Sequence, residues 1–215
     1  MGAASEQEPS SAELMVDLII SLDGYASAEG WPGWWGLEGP EYLAWLEEEG
    51  QKGRTYLLGA NTYRLMAGMS EEAAAGGPGF SEEEGESLTG LAAVPKVVFS
   101  STLQGPLGWP NSTLVSADAV EAVREMKGKG SGPLGTLGSL RLCRSLLSAG
   151  LVDRFRLVVF PVITGRTGRE RIYDGYPDVA LEMVDSRTFD GRLQLLEYIP
   201  TILDGPPGSA NLPGS

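Results

Sequence analysis

Residues 149–165, AGLVDRFRLVVFPVITG, decide the fold of this chain. A helical pattern from Ser139 to Ala149 leads into Gly150, a residue type that commonly ends helices. The long apolar run from Phe155 to Ile163 follows at once and is typical of a strand in the centre of a sheet. A helix that passes through a glycine into a buried strand predicts an α/β unit.

The sequence after this stretch predicts a hairpin. Leu181 to Phe189 and Arg192 to Ile199 are two strand patterns, and Asp190-Gly191 between them is a strong signal for a two-residue turn. Upstream of residue 149, strand patterns alternate with helical patterns. This order predicts an α/β fold of three α/β/α layers, with a mostly parallel central sheet and an antiparallel C-terminal hairpin.

The upstream half supplies the alternating elements. The predicted strands are Leu14–Ser21, Thr55–Leu58, Lys96–Ser100 and Leu134–Leu137, and the predicted helices are those from Pro40, from Asn61 to Met69, and from Ala117 to Lys127. Residues 70–91 are acidic and rich in glycine, and we interpret them as a mobile surface insertion. We expect one domain over 13–200, a disordered leader over 1–12 and a disordered tail over 201–215.

The composition excludes several kinds of chemistry. The chain contains no histidine and one cysteine, Cys143, so histidine-based catalysis and thiolate metal clusters are impossible, and we expect no metal site. The net charge of −13 argues against nucleic acid as a partner. Much of the excess lies in two glutamate runs, 47–49 and 82–84, which we interpret as solvated surface. Without a membrane-length apolar run or a signal peptide, we expect a cytoplasmic protein.

Three strand-to-helix junctions could hold an anion. In open α/β sheets ligands bind at the carboxyl ends of strands, where helix N-termini present free N–H groups. An ordinary turn or helix cap is the alternative at each junction, and Asn61 and Ser139 are the expected caps. The residues concerned are Gly59, Ala60, Asn61 and Thr62 in the first junction, Ser100 and Ser101 in the second, and Thr136, Leu137, Gly138, Ser139 and Leu140 in the third.

A fourth candidate feature follows the first strand. Asp23 comes directly after the strand, and Gly24 permits a sharp turn there. The aromatic residues of the next loop suit a flat heteroaromatic ligand and a lid that excludes water, although they could instead be core residues. These aromatic residues are Tyr25, Trp31, Trp34 and Trp35.

These motifs together resemble a known family. The order SLDG, a tryptophan-bearing loop, a helix, LLGxxTY, KVVFSSTL, a glycine-serine helix junction and AGLVDRFRLVVFPVITG is similar to that of bacterial dihydrofolate-reductase-like proteins. More narrowly, it resembles the reductase domain of bifunctional riboflavin-biosynthesis proteins, the RibD C-terminal family. The resemblance runs from about Leu14 to Tyr198, and residues 149–165 are its most specific block.

The resemblance implies a hydride donor, an assembly and a set of site residues. The donor is NADPH, with NADH as an alternative, and the family is often homodimeric. Gly138, Ser139 and Leu140 fall where the family cradles the pyrophosphate. Gly59 and Thr62 fall at its second phosphate junction, Ser100 and Ser101 on the adenosine side, and Asp23 beside the nicotinamide and substrate.

Three positions depart from the family pattern. Ala60 stands where many relatives carry an arginine that meets the 2′-phosphate of NADPH, and Thr136 replaces the first glycine of a Gly-x-Gly-Ser motif. Dihydrofolate reductases place a proton-donating acid on the first helix. Aligning Leu-Ala-Trp puts Tyr42 at that position and leaves Glu41 one residue away, about 100° around the helix.

Three hypotheses about function follow. The first is an NAD(P)H-dependent reductase of a pterin-like or pyrimidine-like heterocycle, or of a related carbonyl or imine, with Asp23, Tyr42 and Glu41 as candidate proton donors. The second is dihydrofolate reductase or 5-amino-6-(5-phosphoribosylamino)uracil reductase proper, and the third is a non-catalytic nucleotide-binding sensor. We expect no deaminase domain within these residues, since its zinc site would need histidine and cysteine ligands.

Overall fold

The computed structural model of the chain describes residues 11–30, 33, 35–76, 81–130 and 132–208. Ten strands and five α-helices alternate along these residues. In chain order they are β1 (Leu14–Ser21), β2 (Tyr25–Ala28), α1 (Pro40–Gly50), β3 (Thr55–Gly59), α2 (Ala60–Ala74), α3 (Glu82–Ala93), β4 (Lys96–Phe99), β5 (Ser112–Val115), α4 (Ala119–Gly128), β6 (Leu134–Thr136), α5 (Leu140–Ser148), β7 (Arg154–Phe160), β8 (Gly168–Arg171), β9 (Val179–Phe189) and β10 (Leu193–Ile202).

The main sheet has eight strands in the order β5-β4-β3-β6-β1-β7-β10-β9. The first six are parallel, and β10 runs antiparallel to both β7 and β9. The predicted α/β fold, with a mostly parallel sheet and an antiparallel C-terminal hairpin, is therefore confirmed. Parallel strands end at the same edge, so the predicted junctions after β3, β4 and β6 lie side by side.

The alternation of β1 distributes its side chains between two cores. Leu14, Val16 and Leu18 are buried in a cluster that includes residues of α4 and α5. Ile19 faces the other side and packs on a second cluster, which holds Tyr42 of α1. Because neighbouring side chains of a strand point to opposite faces, this pattern makes β1 the centre of three layers.

The C-terminal hairpin also fixes the start of α1. Asp190 and Gly191 have φ angles of 51° and 65°, as a tight hairpin turn requires. The Asp190 carboxylate accepts hydrogen bonds from the backbone N–H groups of Glu41 (3.0 Å) and Tyr42 (3.2 Å). A Cβ on Gly39 would lie 2.2 Å from the Asp190 carboxyl carbon, so glycine is required at this close approach.

The prediction of a mobile insertion over residues 70–91 is wrong for residues 70–74 and 82–91, which are helical. Helix α2 continues to Ala74, and α3 begins with a capping box in which Ser81 and Glu84 satisfy each other's backbone N–H groups. Ser70 is buried, and its hydroxyl donates to the carbonyl of Leu88 at 3.4 Å, joining the two helices. The acidic run 82–84 thus lies at a helix N-terminus, where negative charge is favourable.

Several element boundaries also differ from the predictions. Strand β7 ends at Phe160, because Pro161 has no N–H to donate to a neighbouring strand. Strand β10 continues to Ile202, and the Leu203 N–H donates to the carbonyl of Asp178, so the tail begins later than residue 201. Ala12 is buried, which shortens the leader, while residues 1–10 and 209–215 lie outside the described ranges. Within those ranges, no helix combines the length and hydropathy of a membrane span.

The glutamate run 47–49 contains a buried residue that the sequence analysis assigned to the surface. Glu49 is 5% exposed and receives hydrogen bonds from Arg54 (2.7 Å) and Arg156 (2.9 Å). Arg156 also donates to Asp17 at 2.6 Å and lies 4.8 Å from the ring centre of Trp45. Burial acts to raise the pKa of Glu49, but hydrogen bonds from Lys52 and the two arginines lower it to about 2. This buried ion network joins the last turn of α1 to β1 and β7.

Candidate functional site

The carboxyl ends of β3 and β6 bring two of the predicted junctions into direct contact. The Gly59 N–H donates to the Ser139 hydroxyl at 2.8 Å, and that hydroxyl donates to Thr62 Oγ1 at 2.8 Å. These contacts join residues 80 and 77 positions apart in sequence. Ser139 is therefore the bridge between the N-termini of α2 and α5.

Both helix N-termini present backbone donors at this bridge. Gly59 is the N-cap of α2 and Ser139 the N-cap of α5, and neither helix has a side-chain cap. Ser139 adopts φ 64° and ψ 58°, and its hydroxyl is used in the bridge instead. Two positive helix-dipole ends next to each other form an environment that favours an anion.

Asn61 differs from its predicted role, and Gly138 has a left-handed backbone close to Thr62. Asn61 does not cap α2, because the helix begins one residue earlier, and its side chain accepts from Arg64 Nη1 at 3.2 Å. Gly138 has φ 56°, and a Cβ there would lie 3.4 Å from the Thr62 methyl carbon. A branched residue at position 138 would strain the backbone whether or not a ligand binds there.

The three remaining residues of the β6–α5 junction direct their side chains towards the core, Thr136 fully and the two leucines in part. Thr136 is 1% exposed, and its hydroxyl accepts from the Asp17 N–H at 3.2 Å. Leu137 and Leu140 pack against two different apolar clusters. The buried side chain of Thr136 is engaged inside the protein, and Leu137 and Leu140 are half-buried, so the backbone of this junction is its main polar surface towards a ligand.

The junction after β4 lies on the same sheet edge, beside the end of β3. The Ser100 hydroxyl accepts from the backbone N–H groups of Thr102 (3.1 Å) and Leu103 (3.0 Å), and thereby closes a turn. Ser101 is exposed. Of the two serines, Ser101 is the more accessible to a ligand.

Asp23 connects the end of β1 to the loop after β7. Its carboxylate accepts from the Ser21 hydroxyl (2.7 Å) and from the backbone N–H groups of Thr164 (3.1 Å) and Gly165 (2.9 Å). Desolvation acts to raise its pKa, but these hydrogen bonds lower the pKa to about 2. Asp23 is therefore ionised at neutral pH, and the contacts favour a structural role over proton donation.

Tyr42 and Glu41 also have structural partners. Tyr42 is fully buried and stacks with Trp45, with ring centres 5.7 Å apart, and burial raises its pKa well above the usual value. Glu41 accepts from the Asp190 N–H at 2.6 Å, completing a reciprocal cap with the hairpin. The first helix thus uses both residues for packing and capping.

The aromatic loop residues are only partly described. Trp35 is half-buried and packs against the cluster that holds Tyr42, which agrees with the alternative that it belongs to the core. Trp31 and Trp34 lie outside the described residues, so the lid stays a prediction for them. Tyr25 lies in β2, opposite Arg171 of β8.

Glu38, just before α1, is a candidate that sequence reasoning missed. Its Oε1 accepts from the Trp35 N–H at 3.1 Å, and its Oε2 is buried without a hydrogen-bond partner in the described part of the chain. Burial raises its pKa. The only signal in the sequence is an acid two residues before a helix-starting Pro40, a pattern too common to single it out.

Known proteins similar to this chain were found by sequence and by structure. YyaP of Bacillus subtilis, an uncharacterised protein, is 24% identical over 190 residues, which cover 86% of this chain and 93% of YyaP. A candidate riboflavin biosynthesis protein from Shewanella sp. PV-4 superposes with a TM-score of 0.62 at 18% identity, over 88% of this chain and 99% of that one.

A longer relative shares the fold over part of its length. The deaminase/5-amino-6-(5-phosphoribosylamino)uracil reductase of Thermotoga maritima superposes with a TM-score of 0.59 at 14% identity. The superposition covers 89% of this chain but only 57% of the Thermotoga maritima chain. The sequence model of the RibD C-terminal domain matches residues 12–195, which include both bridged helix N-termini and the whole parallel sheet. This chain therefore belongs to the RibD C-terminal domain family.

Proposed function

We propose that this protein is an NAD(P)H-dependent reductase of a small pterin-like or pyrimidine-like heterocycle, or of a related carbonyl or imine. The observation that carries the proposal is the pair of helix N-termini that Ser139 bridges to Gly59 and Thr62. Family membership supports a reductase role. When bound, the dinucleotide supplies the hydride.

The residues of the bridge fit a dinucleotide diphosphate. Gly59 has no side chain, and a Cβ added there would lie 3.7 Å from the Ser139 hydroxyl, in the space between the two helices. The first-turn N–H groups of α2 and α5 would hold the phosphates, and Thr62 would position Ser139. The anion is therefore held by helix ends, in a chain whose net charge is −13.

A binding measurement followed by a turnover measurement tests the proposal. We expect NADPH to bind with micromolar affinity in calorimetry and to be oxidised in the presence of dihydrofolate or 5-amino-6-(5-phosphoribosylamino)uracil. Binding without oxidation of NADPH by either compound would favour the nucleotide sensor. Absence of binding by both NADPH and NADH at millimolar concentration would overturn the proposal.

Replacing Ala60 by arginine is expected to increase the preference for NADPH over NADH about tenfold to a hundredfold. Ala60 is the first residue of α2, and an arginine there could form charged hydrogen bonds of about 1.5–3 kcal/mol with the 2′-phosphate. We expect the wild type to prefer NADPH only modestly, with Arg64, one turn further along, as the nearby cation. The ratio of the two dissociation constants at fixed salt is the measurement.

The outcome for the wild type also checks where the 2′-phosphate lies. A wild-type preference above a thousandfold would mean that another basic residue, Arg141 or Arg166, meets this phosphate. An Ala60→Gln variant is the matched control, because it adds bulk and hydrogen-bonding groups without charge. An equal gain in both variants would contradict the electrostatic explanation.

A second copy of the chain is the partner we propose. On the side of the sheet to which Phe155 points, the β9–β10 hairpin has three exposed apolar side chains. They are Leu181, Met183 and Ile202, which are 43%, 54% and 40% exposed. Exposed apolar side chains grouped in this way are typical of an interaction surface. In a two-fold symmetric dimer the same surface of each subunit meets its copy, so charges of one sign on that surface would repel each other. An uncharged face therefore suits self-association in a strongly acidic protein.

Changing Met183 to lysine is therefore expected to convert a dimer into a monomer. Thr201→Lys is the control, because Thr201 is exposed on the opposite face of the same hairpin. Sedimentation equilibrium measures the mass of both variants. A monomeric wild type, or a Met183→Lys variant that remains dimeric, would contradict this assignment of the surface.

A further inference from the structure

Glu38 lies at the sheet edge where the proposed reaction takes place. It precedes Gly39, the N-cap of α1, whose first turn is capped by Asp190. Asp190 belongs to the turn before β10, and the start of β10 pairs with the end of β7. The helix start is thus at the carboxyl edge of the parallel strands, the same edge as the Gly59–Ser139 bridge.

The distance across this edge suits the proposed cofactor. β3 and β7 are three strand positions apart in the sheet, or roughly 14 Å at the usual strand spacing. A dinucleotide whose phosphates are held at the end of β3 and β6 can extend its nicotinamide half over the end of β1. A substrate beside that half would then lie on the side of α1 and Glu38.

The carboxyl of Glu38 has one oxygen that accepts a hydrogen bond and one that is buried without a partner in the part of the chain that the structure describes. The Trp35 N–H holds Oε1 at 3.1 Å, whereas Oε2 is buried with no partner among residues 11–30, 33, 35–76, 81–130 and 132–208. A buried carboxyl oxygen without a donor favours the protonated form of the acid. Burial is the main cause of its raised pKa; hydrogen bonds from the backbone N–H groups of Glu38, Trp35 and Leu37 oppose the shift without cancelling it. Two titratable groups of the described chain are close enough to influence it: Tyr42 of α1, which is neutral and buried, and Glu84 of α3, whose negative charge also opposes ionisation.

The other acids first considered for proton donation are occupied. Asp23 is held as a carboxylate by Ser21, Thr164 and Gly165. Glu41 is engaged with Asp190, and the chain has no histidine. Reduction of a C=N or C=O bond needs a proton as well as a hydride, so a protonated acid at this edge has a chemical use.

We propose that Glu38 is the proton donor of the reaction, an inference that rests on the proposed reductase function. The hydride and its electron pair add to the carbon of the substrate double bond, and the nicotinamide is oxidised. The Glu38 O–H bond breaks, and its proton forms the new N–H or O–H bond of the product. The carboxylate that remains takes a proton from water before the next turnover.

Direct titration of the carboxyl is the first test, and it needs no turnover. Protein labelled with ¹³C at glutamate side chains is titrated by NMR, and Glu38→Gln identifies the Glu38 signal. We expect Glu38 to titrate above the ordinary glutamate range, and its signal to move when NADP⁺ and dihydrofolate are added together. An ordinary pKa, or a signal that does not respond to the two compounds, overturns the inference.

Hydride transfer is the second test. In single turnovers at neutral pH, with NADPH and whichever of dihydrofolate or 5-amino-6-(5-phosphoribosylamino)uracil the wild type reduces, Glu38→Gln should be about a hundredfold slower. Glutamine keeps the acceptor for Trp35, so the dissociation constant of NADPH should stay within about twofold. The decline in rate that the wild type shows as Glu38 loses its proton should be absent in the variant. Glu48→Gln, an exposed acid on α1, is the matched control.

The outcomes separate this inference from the proposed function. A Glu38→Gln variant that transfers hydride at the wild-type rate and with the same pH profile overturns the role of Glu38 and leaves the reductase proposal intact. A wild type that binds NADPH but reduces neither compound overturns the reductase proposal, and the inference falls with it. A wild type that binds neither NADPH nor NADH likewise overturns both the reductase proposal and the role of Glu38.

Discussion

Replacing Arg156 by methionine is expected to lower the free energy of unfolding by about 3–5 kcal/mol, because it removes the central cation of a buried ion network. Arg156 is 4% exposed and contacts Asp17 and Glu49, which lie on different elements. Methionine fills part of the volume but cannot compensate the two carboxylates. Urea unfolding followed by tryptophan fluorescence measures the change.

Arg154→Met is the matched control for this experiment. Arg154 is on the same strand, its side chain is 29% exposed, and its closest contacts to Glu13 and Glu197 are 3.5 and 3.9 Å. Partly exposed ion pairs of this kind contribute about 0–1 kcal/mol. Equal losses in the two variants would show that the buried network has no special importance for stability.

The same network predicts a dependence of stability on pH. The pKa of Glu49 falls from its ordinary 4.5 to about 2 in the folded protein. A carboxyl with a lowered pKa contributes stability that is fully present above pH 4.5 and is lost as the pH falls towards 2, because the unfolded chain takes up the proton first. Acid unfolding of Glu49→Gln should therefore show a weaker dependence on pH in this range.

Replacing Gly59 by valine is expected to weaken NADPH binding at least about a hundredfold, because two charged hydrogen bonds of about 1.5–3 kcal/mol each would be lost. The new side chain would occupy the space between α2 and α5, next to the Ser139 hydroxyl. Gly59 has φ −88° and ψ 167°, an extended conformation that β-branched residues adopt readily. Stability should change by no more than about 1 kcal/mol.

Two further variants make this result specific. Gly59→Ala adds only the Cβ, 3.7 Å from Ser139 Oγ, and should have an intermediate effect on binding. Gly68→Ala, in the body of α2 with open space around it, should leave the dissociation constant unchanged. Calorimetry with NADPH measures all three proteins. Normal binding by Gly59→Val would mean that the phosphates bind elsewhere.

The sequence alone predicted the sheet, because its information is local. The run 155–160 is apolar enough to be a central strand, and Asp190-Gly191 has the positive φ angles that its composition predicts. Glycine junctions after β3 and β6 could be recognised because neighbouring residues create them. Residues 82–91 were misread because their acids and glycines resemble a loop, while the capping box of Ser81 and Glu84 starts a helix there.

The roles of the individual side chains were decided only by the tertiary structure. Glu49 is buried because Arg156, 107 positions later, compensates its charge, and nothing near Glu49 in sequence indicates that partner. In the same way, Asp23 and Glu41 are engaged by Thr164 and Asp190, which the fold brings from 141 and 149 positions away. A periodic pattern determines which face of an element is apolar, but a hydrogen bond or an ion pair depends on both partners. For this reason the sequence indicated the edge where we propose that a ligand binds, and among the described residues the structure distinguished the side chains there that have partners from those that do not.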